Sequence, residues 1–286
     1  MSILRLSHVE VRVPDLELAT AYYCEVVGMI ETSRESERVF LKCWDEHQHH
    51  SLILTFAPTY GLNHMGWKVE HASDLDMYAE ALADVGVAVT RLAPGDVGPG
   101  HGDAIRFALP SGHVMELVHG MEQVGNLLPN TNPPPRPMGL VGFAPPRIDH
   151  IFLTCEDVSA NTRFLVDVLG FHLTEQIVGE DGFQVATWLE VSHASHDIAL
   201  VTGQDGGLHH FAWWLDDWDH VRRSADILAY NGIQIDVGPT RHGVTRGSTI
   251  YFFDPLGTRN EVFTGGYRPD PDFPTITWTE DNIGRA

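Results

Sequence analysis

Apolar residues recur at every second position in SHVEVRV (residues 7–13), RVFLKCW (38–44) and SLILTFA (51–57), each run bounded by polar or turn-forming residues. That period predicts half-buried strands. Between the first two runs, LELATAYYCEVVG (16–28) carries the wider spacing of an amphipathic helix and closes on a glycine, and MIETSRE (29–35) supplies a further short strand. One module therefore reads strand, helix and three strands. The order returns as NHMGWKV, ASDLDMYAEALADVG, VAVTRLA, DAIRFAL and HVMELV. A third copy runs DHIFLTC, SANTRFLVDVLGF, HLTEQIV, QVATWLE and HDIALVT, and a fourth runs HHFAWWL, WDHVRRSADILAYNG, IQIDVGP, TIYFFD and RNEVFT. A unit written four times predicts a repeat architecture.

Between the second and third copies lies GNLLPNTNPPPRPMGLVGFAPP, whose prolines lack the donor that a ladder needs. The expected organisation is α+β with two domains, each of paired βαβββ modules forming a curved mixed sheet around a cavity. Residues 1–120 form the N-terminal domain, expected to hold no metal; 121–146 the linker; 147–265 the C-terminal catalytic, metal-binding domain; and 266–286 a tail. Two curved sheets facing each other would enclose a concave site of the kind ligands favour.

Length and charge bound the function. A chain of 286 residues, 43% hydrophobic, can bury a sizeable core, and a formal charge of −21 disfavours nucleic acid and anionic membranes as partners. No apolar run approaches membrane-spanning length and no signal peptide is evident, so the expected location is the cytoplasm. Cys24, Cys43 and Cys155 are odd in number and lack CxxC spacing, which reads as small buried side chains.

Seventeen histidines change the picture, because imidazole is a common metal ligand. His8, His64 and His150 occupy one position in the first strand of their copies. The fourth copy opens with His209 and His210; neighbours on a strand face opposite ways, and alignment on DHIFLTC selects His210. In RNEVF, Glu261 shares a face with Phe263, and a buried carboxylate is costly unless paired or metal-bound. Two histidines and a carboxylate from three strands make the facial triad of non-haem iron(II) oxygenases. His196, His242 and Tyr251 cluster with His150, His210 and Glu261 in this reading, with Tyr251 brought near Glu261 by a hairpin across the Asp254–Gly257 turn. Trp188 is expected to face the cavity, where its bulk favours a single aromatic ring.

At these residues the sequence resembles the two-domain extradiol catechol 2,3-dioxygenases of the vicinal oxygen chelate superfamily (the glyoxalase/bleomycin resistance/extradiol dioxygenase fold). GPTRHGVTRGSTIYFFDPLGTRNEVF matches the family signature almost throughout, and IDHIFLTCEDV and LHHFAWWL carry its histidine ligands. The resemblance implies Fe(II), with Mn(II) as the other candidate, held by His150, His210 and Glu261. It implies a catechol substrate and O2, ring opening beside the diol to a 2-hydroxymuconic semialdehyde, and a homotetramer. It casts His196 as the group that stabilises charge on the O2 side and returns a proton, and His242 and Tyr251 as hydrogen-bonding partners of the catechol oxygen. A hydroquinone-cleaving dioxygenase, a glyoxalase-like isomerase or lyase, and a metal-free binding protein are the alternatives on the same fold.

The sequence also departs from that pattern. His8, His64 and Glu116 stand at the triad positions of the N-terminal half, and His50 precedes His64 as His196 precedes His210. Arg106 stands where Tyr251 stands in the other half, and a cation there disfavours a neighbouring metal. The tail TITWTEDNIGRA is shorter than in the compared dioxygenases, which weakens the case for a lid built from it.

Overall fold

The structure is a computed structural model describing residues 2–286, apart from the side chains at positions 280, 283 and 284. The first module comprises β1 (Ile3–Val13), α1 (Leu16–Tyr22), β2 (Ile30–Arg34), β3 (Arg38–Lys42) and β4 (Leu52–Phe56). The second comprises β5 (Gly61–Val69), α2 (Ala72–Asp84), β6 (Thr90–Leu92), β7 (Asp103–Ala108) and β8 (Val114–His119). The third is β9 (Arg147–Cys155), α3 (Val158–Asp167), β10 (His172–Val178), β11 (Gln184–Glu190) and β12 (Ile198–Thr202). The fourth is β13 (Gly207–Trp214), α4 (Trp218–Tyr230), β14 (Ile235–Arg241), β15 (Gly247–Phe253) and β16 (Arg259–Gly265), followed by β17 (Ile276–Thr279).

Local chemistry sets the boundaries. Asp15, Asp157 and Asp217 each accept a hydrogen bond from a backbone N–H in the first turn of the helix that follows. The first helix is shorter than its periodicity predicts: after Tyr22 it widens into a π-helical turn, Tyr23–Val27, and stops at Gly28 in the left-handed region. VAVTRLA keeps only Thr90–Leu92 as strand.

Within each half the modules do not form two separate facing sheets. Their first strands pair antiparallel, β1 with β5 and β9 with β13, which merges the modules into one sheet of eight or nine strands. Joining the first strands removes two exposed edges that separate sheets would carry. In the C-terminal half, residues from β9 to β11, β13, β15 and β16 line a common cavity, so the merged sheet curves around it.

One hydrophobic core runs through both halves, from Ile3 through Trp67 and Phe171 to Val262. Polar ties cross between the halves as well. The Tyr23 hydroxyl donates to Asp254 Oδ2 at 2.9 Å, and Glu46 Oε1 accepts from Ile148 N at 3.0 Å. Among the described residues no helix is long and apolar enough to cross a membrane.

Candidate metal centre

Three neighbouring strands of the C-terminal sheet, in the order β16, β13, β9, deliver one donor each. His150 Nε2 and His210 Nε2 both lie 2.9 Å from Glu261 Oε2 and 3.4 Å from each other. All three side chains are buried. A β-bulge aims one of them: on β13 the register steps from Leu208 to His210 while β9 advances by one residue, leaving His209 as the extra residue. His209 instead packs against Phe152, with ring centroids 4.7 Å apart.

The electrostatics prepare these groups as ligands. Burial opposes ionisation of Glu261, but the two imidazoles reverse that and hold its pKa well below the usual carboxylate range. Burial drives His210 down to about 3 despite the carboxylate beside it. His150 moves the other way: burial lowers its pKa, but Glu261 and Asp149 more than offset this and raise it to about 9. Two donors are thus already in ligand form, and only His150 must release a proton. Asp149 Oδ2 lies 2.9 Å from His150 Nδ1, which directs the Nε2 lone pair towards Glu261. Two neutral-capable imidazoles and a carboxylate, on one side of a cavity, fit a divalent first-row metal with positions left open.

The cavity holds about 250 Å³ and is walled by Phe152, Ile177, Trp188, Val244 and Phe263. His196 lies over one ligand, its ring centroid 3.9 Å from that of His150, and Tyr251 lies against the other, 5.1 Å from His210. Tyr251 sits directly opposite Glu261 in the β15–β16 hairpin, and its hydroxyl is 2.9 Å from His242 Nε2. His196, His242, Tyr251 and Trp188 therefore all face the space in front of the triad.

Residues outside the sequence reading complete the site. Thr249 Oγ1 donates a short hydrogen bond to Glu261 Oε1; its parity with Tyr251 on one strand was an available signal. Buried Glu175 accepts from Thr245 N at 2.6 Å, Tyr267 OH at 2.9 Å and Trp278 Nε1 at 2.6 Å, tying β10 to the loop after His242 and to the tail. The tail reaches the site: Gly243 N donates to Ala286 O at 2.8 Å, and Ala286 lines the cavity. No pattern in the sequence pointed to these contacts.

Residues 147–262 match the model of the Glyoxalase/Bleomycin resistance protein/Dioxygenase superfamily, and residues 62–121 match that of the catechol 2,3-dioxygenase-like N-terminal domain. The chain is 38% identical to a metapyrocatechase of Pseudomonas sp. strain CF600, over 99% of this chain and 93% of that protein. It belongs to the extradiol catechol dioxygenases.

Another member, a manganese-dependent 2,3-dihydroxybiphenyl 1,2-dioxygenase of Geobacillus genomosp. 3, is 34% identical over 98% of this chain and 91% of its own length. The crystal structure of the 2,3-dioxygenase LapB from Pseudomonas sp. KL28 superposes with a TM-score of 0.95 at 40% identity, covering 99% of both chains. This extradiol dioxygenase thus shares fold and length with its relatives, among which both manganese-dependent and iron-dependent enzymes are named.

Proposed function

We propose that this extradiol dioxygenase acts as a catechol 2,3-dioxygenase on monocyclic catechols, with Fe(II) held by His150, His210 and Glu261. One observation carries the reading: three ligand atoms converge beside an apolar cavity, with His196 over one ligand and the Tyr251–His242 pair against another. A bound metal would supply adjacent positions for the catechol oxygens and O2 and a path for electrons between them.

This chain's residues supply the rest. Phe152, Ile177, Trp188 and Val244 offer an apolar slot for one ring and exclude water, which strengthens the polar contacts inside. Burial, reinforced by Glu261, raises the Tyr251 pKa well above the ordinary phenol value, so its hydroxyl keeps its proton as a donor. Burial lowers the pKa of His242, leaving a neutral imidazole beside Tyr251 whose free lone pair can take up a catechol proton. Burial, and then His150, push His196 well below the ordinary histidine value. It is a neutral base in a dry site, placed on the His150 side to hold a proton and return it to the oxygen that accepts charge.

The test is anaerobic purification, metal analysis, and addition of catechol with air while the yellow ring-fission product is followed. Yellow product that vanishes in His210→Ala together with the metal supports the reading. A loaded site inert towards catechol and alkylcatechols overturns it, and manganese in place of iron with full turnover overturns the choice of metal. On the resemblance alone we also assign a homotetramer and a cytoplasmic location, tested by sedimentation velocity and by cell fractionation.

A further inference from the structure

The N-terminal sheet repeats the triad geometry with different surroundings. His8 Nε2 and His64 Nε2 are 3.0 Å apart, and Glu116 Oε1 lies 3.4 Å from His8 Nε2. Strands β8, β5 and β1 stand in the order of β16, β13 and β9. Glu116 pairs with Gly66 as Glu261 pairs with Ala212, and a bulge between Leu6 and His8 aims His8 inward as the one before His210 does.

Three features distinguish these surroundings from those of the C-terminal triad. First, Glu10 occupies the position of Phe152, where its Oε2 lies 2.7 Å from His64 Nδ1 as a neighbouring charge, while His64 Nε2 faces His8. Such a carboxylate behind an imidazole is the usual support of a ligating histidine. Second, His101 brings a further nitrogen: its Nδ1 donates to Gly102 O at 2.9 Å, which leaves the Nε2 lone pair facing Glu116 Oε1 at 2.7 Å. Two acceptors at that distance call for a cation or an extra proton between them. At the matching position of the other half stands Arg246, over the Tyr267 ring. Third, Gly66 leaves room for the His8 ring, since a Cβ there would fall 2.1 Å from His8 Cε1.

Arg106 reaches this cluster from one side. Its Nε donates to the other carboxylate oxygen, Glu116 Oε2, at 2.6 Å, the part that Thr249 plays towards Glu261 Oε1. Its Nη2 lies 3.2 Å from His64 Nε2, a contact that must open when a metal enters. The sequence expectation that Arg106 disfavours a metal therefore stands against this placement, and a metal here requires Arg106 to keep only its contact with Glu116 Oε2.

We propose that His8, His64, His101 and Glu116 form a second, structural site for a divalent metal of the zinc class. His8, His64 and Glu116 converge as three donors, and His101, 2.7 Å from Glu116 Oε1, would complete a four-coordinate set by closing on the ion, whereas the C-terminal triad supplies three protein ligands and faces a cavity. All four donors are buried, and they come from three strands and the loop before β7, so the metal would cross-link the N-terminal sheet rather than bind substrate.

Elemental analysis of the full chain, purified anaerobically and dialysed against limiting Zn2+ and Fe2+, decides the matter. The expected result is about two metals per chain, with zinc lost from His101→Ala and from Glu116→Gln while ring cleavage persists and the melting temperature falls. His210→Ala is expected to keep one zinc and lose the ring-cleaving metal. A folded His210→Ala chain that retains no zinc overturns the proposal, even if the N-terminal variants fail to fold. Two metals in both N-terminal variants would also overturn it. Because zinc retention by His210→Ala requires no turnover, failure of this site and failure of the ring-cleavage reading are distinguishable.

Discussion

The Tyr251 hydroxyl and His242 Nε2 lie 2.9 Å apart at the cavity wall, joined by a hydrogen bond between a buried phenol and a buried imidazole. The two residues come from β15 and from the loop that precedes it, so the pair forms only when that loop folds back over the hairpin. Tyr251→Phe removes the donor without altering a proposed metal ligand. The expected outcome in steady-state assays with catechol is a fall of about ten- to a hundredfold in kcat/KM, the size of one hydrogen bond to a charged group. Metal content should not change.

His196 lies against His150 without being one of the three converging donors. His196→Asn keeps a polar side chain and removes the base, so kcat should fall by at least about a hundredfold, the lower end of general acid–base contributions. Stopped-flow traces should show substrate binding intact and the later, proton-dependent phase slowed. Equal slowing of binding would assign His196 to substrate positioning instead.

Removal of the metal should make stability pH-dependent. In the metal-free chain the His150 pKa is about 9, above the ordinary histidine value, so this group stabilises the fold fully below about 6.5 and loses that contribution as pH rises through about 9. Thermal melts of chelator-treated protein should therefore decline between pH 6.5 and 9. The C-terminal site once loaded holds neutral imidazoles, and its contribution should not decline there; loading at pH 7 should release about one proton per chain, measurable with an indicator dye.

Trp188 closes one side of the cavity and packs on Phe152, with ring centroids 5.9 Å apart. Trp188→Leu should open space for a second ring and shift the ratio of kcat/KM for 2,3-dihydroxybiphenyl over catechol upward by about ten- to a hundredfold, the range of pocket-size discrimination. An unchanged ratio would place the size filter elsewhere.

Glu175 holds Thr245 N, Tyr267 and Trp278 from within the sheet. Thr245 and Arg246 both sit at positive φ, so this stretch is strained and depends on such anchors. Glu175→Gln should raise KM several-fold and lower the melting temperature, with a smaller effect on kcat because no reacting group is lost. A selective loss of kcat would contradict a purely positioning role.

Much of this protein was written locally. Period-2 runs and helix caps defined the four modules, because a strand's alternation and a helix's first turn depend on residues one to four apart. The same parity put Glu261 and Phe263 on one face and chose His210 over His209, and the structure adds the bulge at His209 that aims the chosen ring. What neighbouring residues could not decide was which distant groups would meet. Glu175 reaches Thr245 across 70 residues and Trp278 across 103. The merging of two modules through β1–β5 and β9–β13, and the single core shared by both halves, follow from removing sheet edges and apolar surface from water, which is a property of the whole chain. Arg106 shows the difference most plainly: sequence position gave its identity, but only the tertiary fold decided that its guanidinium takes one oxygen of Glu116 and leaves the other to His8 and His101.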